Sequence, residues 1–157
     1  MTGGRMETPI IGVGLLLFLG GRLLIVKELK DKPQYHKRKG MLSFPLETFE
    51  QEKDVDIRGT INRLLQEELG IIDATEIDLW GIAPMTFRPI PGREDVEIYY
   101  GVGTFRGNNN RTFRPQDTDV EIMGWQTPQQ LLNEKLKRVE VDPILRDFAK
   151  RIQTDFI

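Results

Sequence analysis

The chain has no cysteine and a single histidine, His36. The first absence removes disulfides, thiolate nucleophiles and cysteine-ligated zinc, and agrees with a reducing, cytoplasmic compartment. The second removes any multi-histidine metal site, so a metal bound here must be hard and oxygen-ligated, Mg²⁺ or Mn²⁺. Neither sign of charge is in large excess: 22 Lys plus Arg face 24 Asp plus Glu, a net charge of −2. That balance lacks the basic surplus of a protein that binds a nucleic-acid polymer, while small anionic ligands stay within reach. There is no internal repeat and no low-complexity tract. A long apolar run is missing too. The stretch Ile10 to Leu19 follows Arg5 as a secretory leader would, but it is too short to span a bilayer. Apolar residues resume directly after Gly20-Gly21 as "LLIV", and a two-glycine break between apolar runs signals a β-hairpin.

The 157 residues fit one compact domain, which would bury about two-thirds of the surface of the unfolded chain. Residues 1–7 are expected to be a flexible N-terminal segment. The hairpin runs from about Pro9 to Glu28, followed by a polar loop, "KDKPQYHKRKG", and a short apolar piece, "MLSFPLETF". A helix is expected from Asp56 to Leu69, capped by Asp56 and ended by Gly70. Strands follow around "IDLWGIAPMTF", "DVEIYYGVGTF" and "DVEIMGW", then helices over Thr127–Lys137 and Asp142–Ile152. The pattern is an α/β domain with a mainly hairpin-connected sheet.

One residue does not fit the bland pattern. With Ile57 at zero and about 100° per residue, Ile61 falls at about 40°, Leu64 at about −20°, Leu65 at about 80° and Glu68 at about 20°. Glu68 therefore lies inside the apolar stripe, where an ionised carboxylate must be neutralised, partnered or bound to a cation. Glu67, at about −80°, is an i, i+4 neighbour of Arg63 and lies beside the same edge. Two adjacent carboxylates raise one another's pKa, and a divalent cation removes that conflict. The alternative is that Glu67 pairs with Arg63 on the surface while Glu68 reaches a backbone donor or a lysine.

The string "RLLQEELGI", Arg63 to Ile71, resembles the second half of the Nudix box, Arg-Glu-apolar-x-Glu-Glu-x-Gly-apolar, with Arg63, Leu65, Glu67, Glu68, Gly70 and Ile71 matching. The surroundings are similar as well: an opening hairpin, an apolar-Pro segment "LSFP" before the box, and "MGWQTPQQLL" ahead of a final helix. The resemblance to the Nudix hydrolase superfamily spans nearly the whole chain. It implies an α/β/α sandwich with a mixed sheet. It also implies Mg²⁺- or Mn²⁺-dependent hydrolysis of a nucleoside diphosphate linked to another moiety. By the same resemblance Glu67 and Glu68 are the paired metal ligands, and Arg63 orients the first of them.

The departures matter too. Leu64 stands where the family has a glutamate that serves some members as ligand or base. It is placed on the rim between Glu67 and Glu68, so Leu64→Glu is expected to raise the rate unless the leucine is structural. The family's Pro-Gly-Gly is replaced by Pro45-Leu46-Glu47, and the loop to the helix, "TFEQEKDVD", is longer. Glu47 is a candidate third metal ligand, with Glu50 and Glu52 in the same acidic loop. Glu94, Asp95, Glu97, Asp117, Asp119 and Glu121 are further acids from which a base could come, each also readable as an exposed turn or strand-edge residue. The cations of "YHKRKG" are candidates for phosphate contact, and Tyr99 or Tyr100 for stacking on a base. The expected partner is a small nucleotide-like substrate, with no nucleic-acid polymer and no membrane. A domain of the same architecture that binds nucleotides with little catalysis is the competing reading. Oligomeric state stays open, a homodimer included.

Overall fold

The computed structural model describes residues 10–35, 37–72, 74–88, 96–108, 112–116 and 119–152. The N-terminal segment 1–7, His36, Glu94, Asp95 and Asp117 lie outside the described residues.

The hairpin forms as its sequence demands. Strands β1 (Ile11–Leu19) and β2 (Arg22–Glu28) are joined by Gly20 and Gly21 at φ 58° and 77°. Two successive residues with positive φ turn the chain with the right-handed twist of the flanking strands, and only glycine takes them at no steric cost. The short strands β3 (Leu42–Ser43) and β4 (Leu46–Thr48) come next, then β5 (Ile77–Phe87), β6 (Val96–Phe105) and β7 (Val120–Gln126). β1 pairs in parallel with β6 along most of its length; the other ladders between the described strands are antiparallel, so the sheet is mixed.

Past the turn the hairpin opens. β1 and β2 are in register at Phe18–Leu23 and Leu19–Arg22, but further on β1 pairs with β4 and β2 with β3. Since β7 occupies one edge of β2 from Leu23 to Glu28, β3 must share the other edge with β1. Residues 42–48 are thus wedged into the fork of the hairpin. The apolar Met41, Phe44 and Leu46 are buried there, and Glu47 and Thr48 are carried along with them.

Alternation along β1 builds two cores. Val13, Leu15 and Leu17 face one side and Leu16 the other, all fully buried. Helix α1 (Ile57–Leu64) covers the first side with Ile61 and Leu64. Asp56 caps it, accepting from the Gly59 amide at 2.8 Å, and Gly101 of β6 lets it approach: a Cβ there would lie 2.8 Å from Ile61 Cδ1. The helix runs into one wide turn, Leu65–Leu69, of i→i+5 type and stops at Gly70, φ 69°. α2 (Pro128–Leu132) and α3 (Val141–Arg151) cover the second side, with Leu131, Val141, Ile144, Leu145 and Phe148 buried. The result is the expected α/β/α sandwich. No described helix is long and apolar enough to cross a membrane.

One helix is shorter than its pattern suggests. The expected Thr127–Lys137 segment opens with a capping box at Thr127 and Gln130 but ends at Leu132. Beyond Asn133 the chain pairs with β3 instead: Leu42 exchanges hydrogen bonds with the Leu136 carbonyl and the Arg138 amide at 3.0 Å each, and Lys137 Nζ caps the Leu132 carbonyl at 2.6 Å. A second glycine is equally constrained. At Gly70 an added Cβ would collide with the Arg114 carbonyl oxygen, on top of the left-handed φ. Gly70→Ala should therefore cost at least about 2 kcal/mol, a fall in Tm of at least roughly 4 °C by calorimetry.

Candidate active site

Arg63 is the hub of the polar corner above α1. Its Nε and Nη2 donate to Asp54 Oδ1 and Oδ2 at 2.9 Å each, and Nη2 also donates to the Thr48 carbonyl at 2.7 Å. Its Nη1 lies 3.4 Å from Glu47 Oε2 and 3.4 Å from Glu67 Oε2. Three elements therefore meet at one guanidinium: β4 supplies Glu47 and Thr48, the loop before α1 supplies Asp54, and the wide turn supplies Glu67. The planar fork suits a bidentate carboxylate, which Asp54 provides.

Asp54 is 3% exposed and accepts two more hydrogen bonds, from the Thr60 hydroxyl at 2.9 Å and the Glu50 amide at 3.0 Å. Hydrogen bonding to Arg63 holds its carboxyl down to about 2, and the same contact raises the Arg63 pKa. Glu47 shifts the other way: burial pushes its pKa up and the nearby charge of Glu67 adds to this, against the Thr48 amide and Arg63. Asp54 thus takes the strong end of the guanidinium, leaving Nη1 to Glu47 and Glu67 together.

The carboxylates predicted from the sequence are only partly brought together. Glu67 is partly exposed and Glu68 is buried, 3% exposed, as its place in the stripe requires. The pair that converges on Arg63 is Glu47 with Glu67. Leu64 is not on a rim: it is fully buried in the core formed with Val13, Leu15, Leu17 and Ile61. Glu50 pairs with Lys53 at 3.0 Å and Glu52 is exposed. Glu97 accepts from the Tyr99 hydroxyl, Asp119 holds Lys30 and Lys32, and Glu121 faces Lys27 at 3.5 Å. Tyr100 is in the core with its hydroxyl on Asp147. The sequence does little to mark Asp54. Its only signal is an acid two residues before the helix cap, and a loop has no periodicity to mark it.

A cavity of about 520 Å³ opens beside this corner. Glu47, Thr48 and Glu50 form part of its wall; Leu46, Phe87, Val96 and Ile98 give it an apolar side; Lys32, Lys37 and Arg138 bring cations. Its volume is that of a small-molecule site. Lys37 Nζ is 3.8 Å from the buried Glu28, so one cation of "YHKRKG" does reach the cavity wall. Among the described residues no three Asp, Glu, His or Cys side chains are already spaced to hold a metal ion.

Two outcomes follow from this geometry. A glutamate at position 64 would put a carboxylate into an apolar core, so Leu64→Glu should destabilise the protein by at least about 3 kcal/mol and lower activity rather than raise it, as read by denaturant melts and assay. For Asp54 the folded-state pKa is depressed, so its contribution is present above the ordinary pKa near 4 and lost as pH falls towards about 2. That contribution is about 2 kcal/mol. Urea melts between pH 6 and pH 2 should show it, and Asp54→Asn should flatten that part of the profile.

A family model described as the NUDIX domain matches residues 8–148. No curated protein matches the sequence. Among solved structures, the fold is similar to the NUDIX domain of Shewanella oneidensis NrtR complexed with ADP ribose (TM-score 0.66, 14% identity, covering 94% of this chain and 91% of that one). It is similar to a NUDIX hydrolase from Nitrosomonas europaea (TM-score 0.62, 17% identity, 92% and 90%). It is also similar to a bifunctional NMN adenylyltransferase/ADP ribose pyrophosphatase from Francisella tularensis complexed with AMP and Mn ion (TM-score 0.62, 16% identity, 94% and 44%). At such identities structural likeness speaks for the fold alone. The match over residues 8–148 speaks for more, and by it the chain belongs to the NUDIX domain family.

Proposed function

We propose that the chain hydrolyses a phosphoanhydride bond in a nucleoside diphosphate linked to another moiety, with Mg²⁺ or Mn²⁺ as cofactor. The observation that carries this is the convergence of Glu47 and Glu67 on one nitrogen of Arg63 in the wall of a nucleotide-sized cavity. Two hard carboxylates short of a complete cage match the way Mg²⁺ is usually held, by one or two carboxylates with water and substrate phosphates supplying the rest. The NrtR domain was complexed with ADP ribose and the Francisella tularensis protein with AMP and Mn ion, which supports a nucleotide and a divalent cation here.

In this reading Asp54 fixes Arg63, and Arg63 orients Glu67 and Glu47. Glu67, Glu68 and Glu47 are the residues assigned to the metal, Glu68 by its position in the box. When bound, the cation neutralises charge on the diphosphate and lowers the pKa of a water. Glu47, whose burial raises its affinity for a proton, serves as ligand or takes the proton from the attacking water where the box glutamate is replaced by Leu64. Lys37, held near Glu28, faces the phosphates. The cysteine-free composition is compatible with a cytoplasmic setting, which belongs to this proposal.

A second reading, a nucleotide-binding domain with little catalysis, is favoured by one feature: Leu64 is built into the core, so the missing carboxylate has no vacant place to return to. A panel of nucleoside diphosphate derivatives separates the two. Hydrolysis predicts metal-dependent release of a nucleoside monophosphate, lowered by at least roughly tenfold in Glu67→Gln and in Glu68→Gln. Thermal shifts with the same compounds but no turnover at any metal concentration would transfer the assignment to the second reading.

A further inference from the structure

The cavity has a second polar feature away from Arg63 in sequence. Arg138 is 8% exposed, its Nη2 donates to Glu140 Oε2 at 3.0 Å, and both residues line the cavity with Val139 between them. The pair is incomplete on both sides: Arg138 Nε and Glu140 Oε1 are buried and have no hydrogen-bond partner among the described residues. Its backbone is fixed, since the Arg138 amide donates to the Leu42 carbonyl and the Val141 amide to the Arg138 carbonyl. A buried donor and a buried acceptor left without partners are costly unless a ligand completes them, which requires the two side chains to turn towards the cavity they line.

The charges say what kind of group that ligand offers. Arg138 is already neutralised by Glu140, and the carboxylate repels a phosphate, so the pair suits an uncharged group carrying an acceptor beside an N–H donor. Both side-chain heads are planar, which matches the coplanar edge of a nucleobase better than the tetrahedral hydroxyls of a sugar. The neighbouring wall supplies Leu46, Phe87, Val96 and Ile98 for the apolar face of a ring. We infer that Arg138 and Glu140 read the edge of the substrate's nucleobase and set base preference. This rests on the nucleotide reading of the cavity proposed above, and makes the substrate a nucleoside derivative recognised through its base rather than only through its phosphates.

Binding tests it without turnover. Calorimetric titration of the whole chain in Mg²⁺ with AMP, GMP, UMP and ribose 5-phosphate, none of which has an anhydride bond to cleave, should show at least one nucleotide bound at least about tenfold more tightly than ribose 5-phosphate, because a site with unfilled polar groups penalises a ligand that cannot fill them. In Glu140→Gln that preference should fall to roughly threefold or less with ribose 5-phosphate binding retained; Arg138→Lys, which keeps the charge but loses the fork, should do the same. Equal binding of all four probes to the unaltered protein, or no nucleotide binding, overturns the inference. A proportional loss of every probe in folded variants overturns it too. Metal-dependent hydrolysis without base preference would sink this inference alone, whereas base preference without hydrolysis would sink the catalytic proposal alone.

Discussion

The fork between Arg63 and Asp54 is the contact on which the polar corner depends. A guanidinium taken largely out of water needs an anion held in good geometry, and Asp54 supplies it with two 2.9 Å bonds while Thr60 and the Glu50 amide complete its other lone pairs. That satisfaction has a directional consequence. With Nε and Nη2 committed, only Nη1 is left for Glu47 and Glu67, at 3.4 Å from each. One positive charge is divided among three carboxylates, most of it going to the most buried. The two outer acids share what is left, and burial, with the nearby charge of Glu67 adding to it, raises the pKa of Glu47. In the proposed reading this is the corner that would hold the cation.

Its position follows from the backbone. The wedge of residues 42–48 in the fork of the β1–β2 hairpin brings Glu47 and Thr48 over α1, and the loop that folds back through Asp54 to the cap at Asp56 supplies the anchor. The wide turn at Leu65–Leu69 adds a residue to the helical repeat just where the acids occur. Within that turn Glu67 is partly exposed and Glu68 is buried, as their places beside and inside the apolar stripe require.

Where the sequence was readable, local chemistry decided the structure. Gly20-Gly21, the Asp56 cap, the stop at Gly70, the three long strands and the closing helix all depend on neighbours in the chain, and each is found within a residue or two of its expected place. Where it was not, distant contacts decided. α2 ends early because residues 136–138 find a partner in β3, almost a hundred positions earlier. Analogy with the box puts Leu64 on a rim, yet Gly101 lets α1 sit close to the sheet and Leu64 is fully buried. Asp54 and the Arg138–Glu140 pair gave no signal because a loop residue's partners are set by the fold, not by spacing. Resemblance marks Arg63, Glu67, Glu68 and Glu47 as candidates, but nothing in it marks Asp54 as the acid that holds Arg63.

The cavity beside this corner carries a further constraint on what can enter it. Its cations are already engaged: Lys37 lies near Glu28, Lys32 is held by Asp119, and Arg138 by Glu140. A polyanion arriving alone would meet lysines that share their charge with acids, and two carboxylates on Arg63 that repel it. A divalent cation arriving alone would meet two carboxylates and have to keep most of its water. Together each removes the other's difficulty, because phosphate oxygens complete the cation's shell while the cation cancels the charge that the cavity cannot. Tight binding is therefore expected only for the pair. Each component should raise the other's affinity by the same factor, as linkage requires of any two ligands that meet in one site.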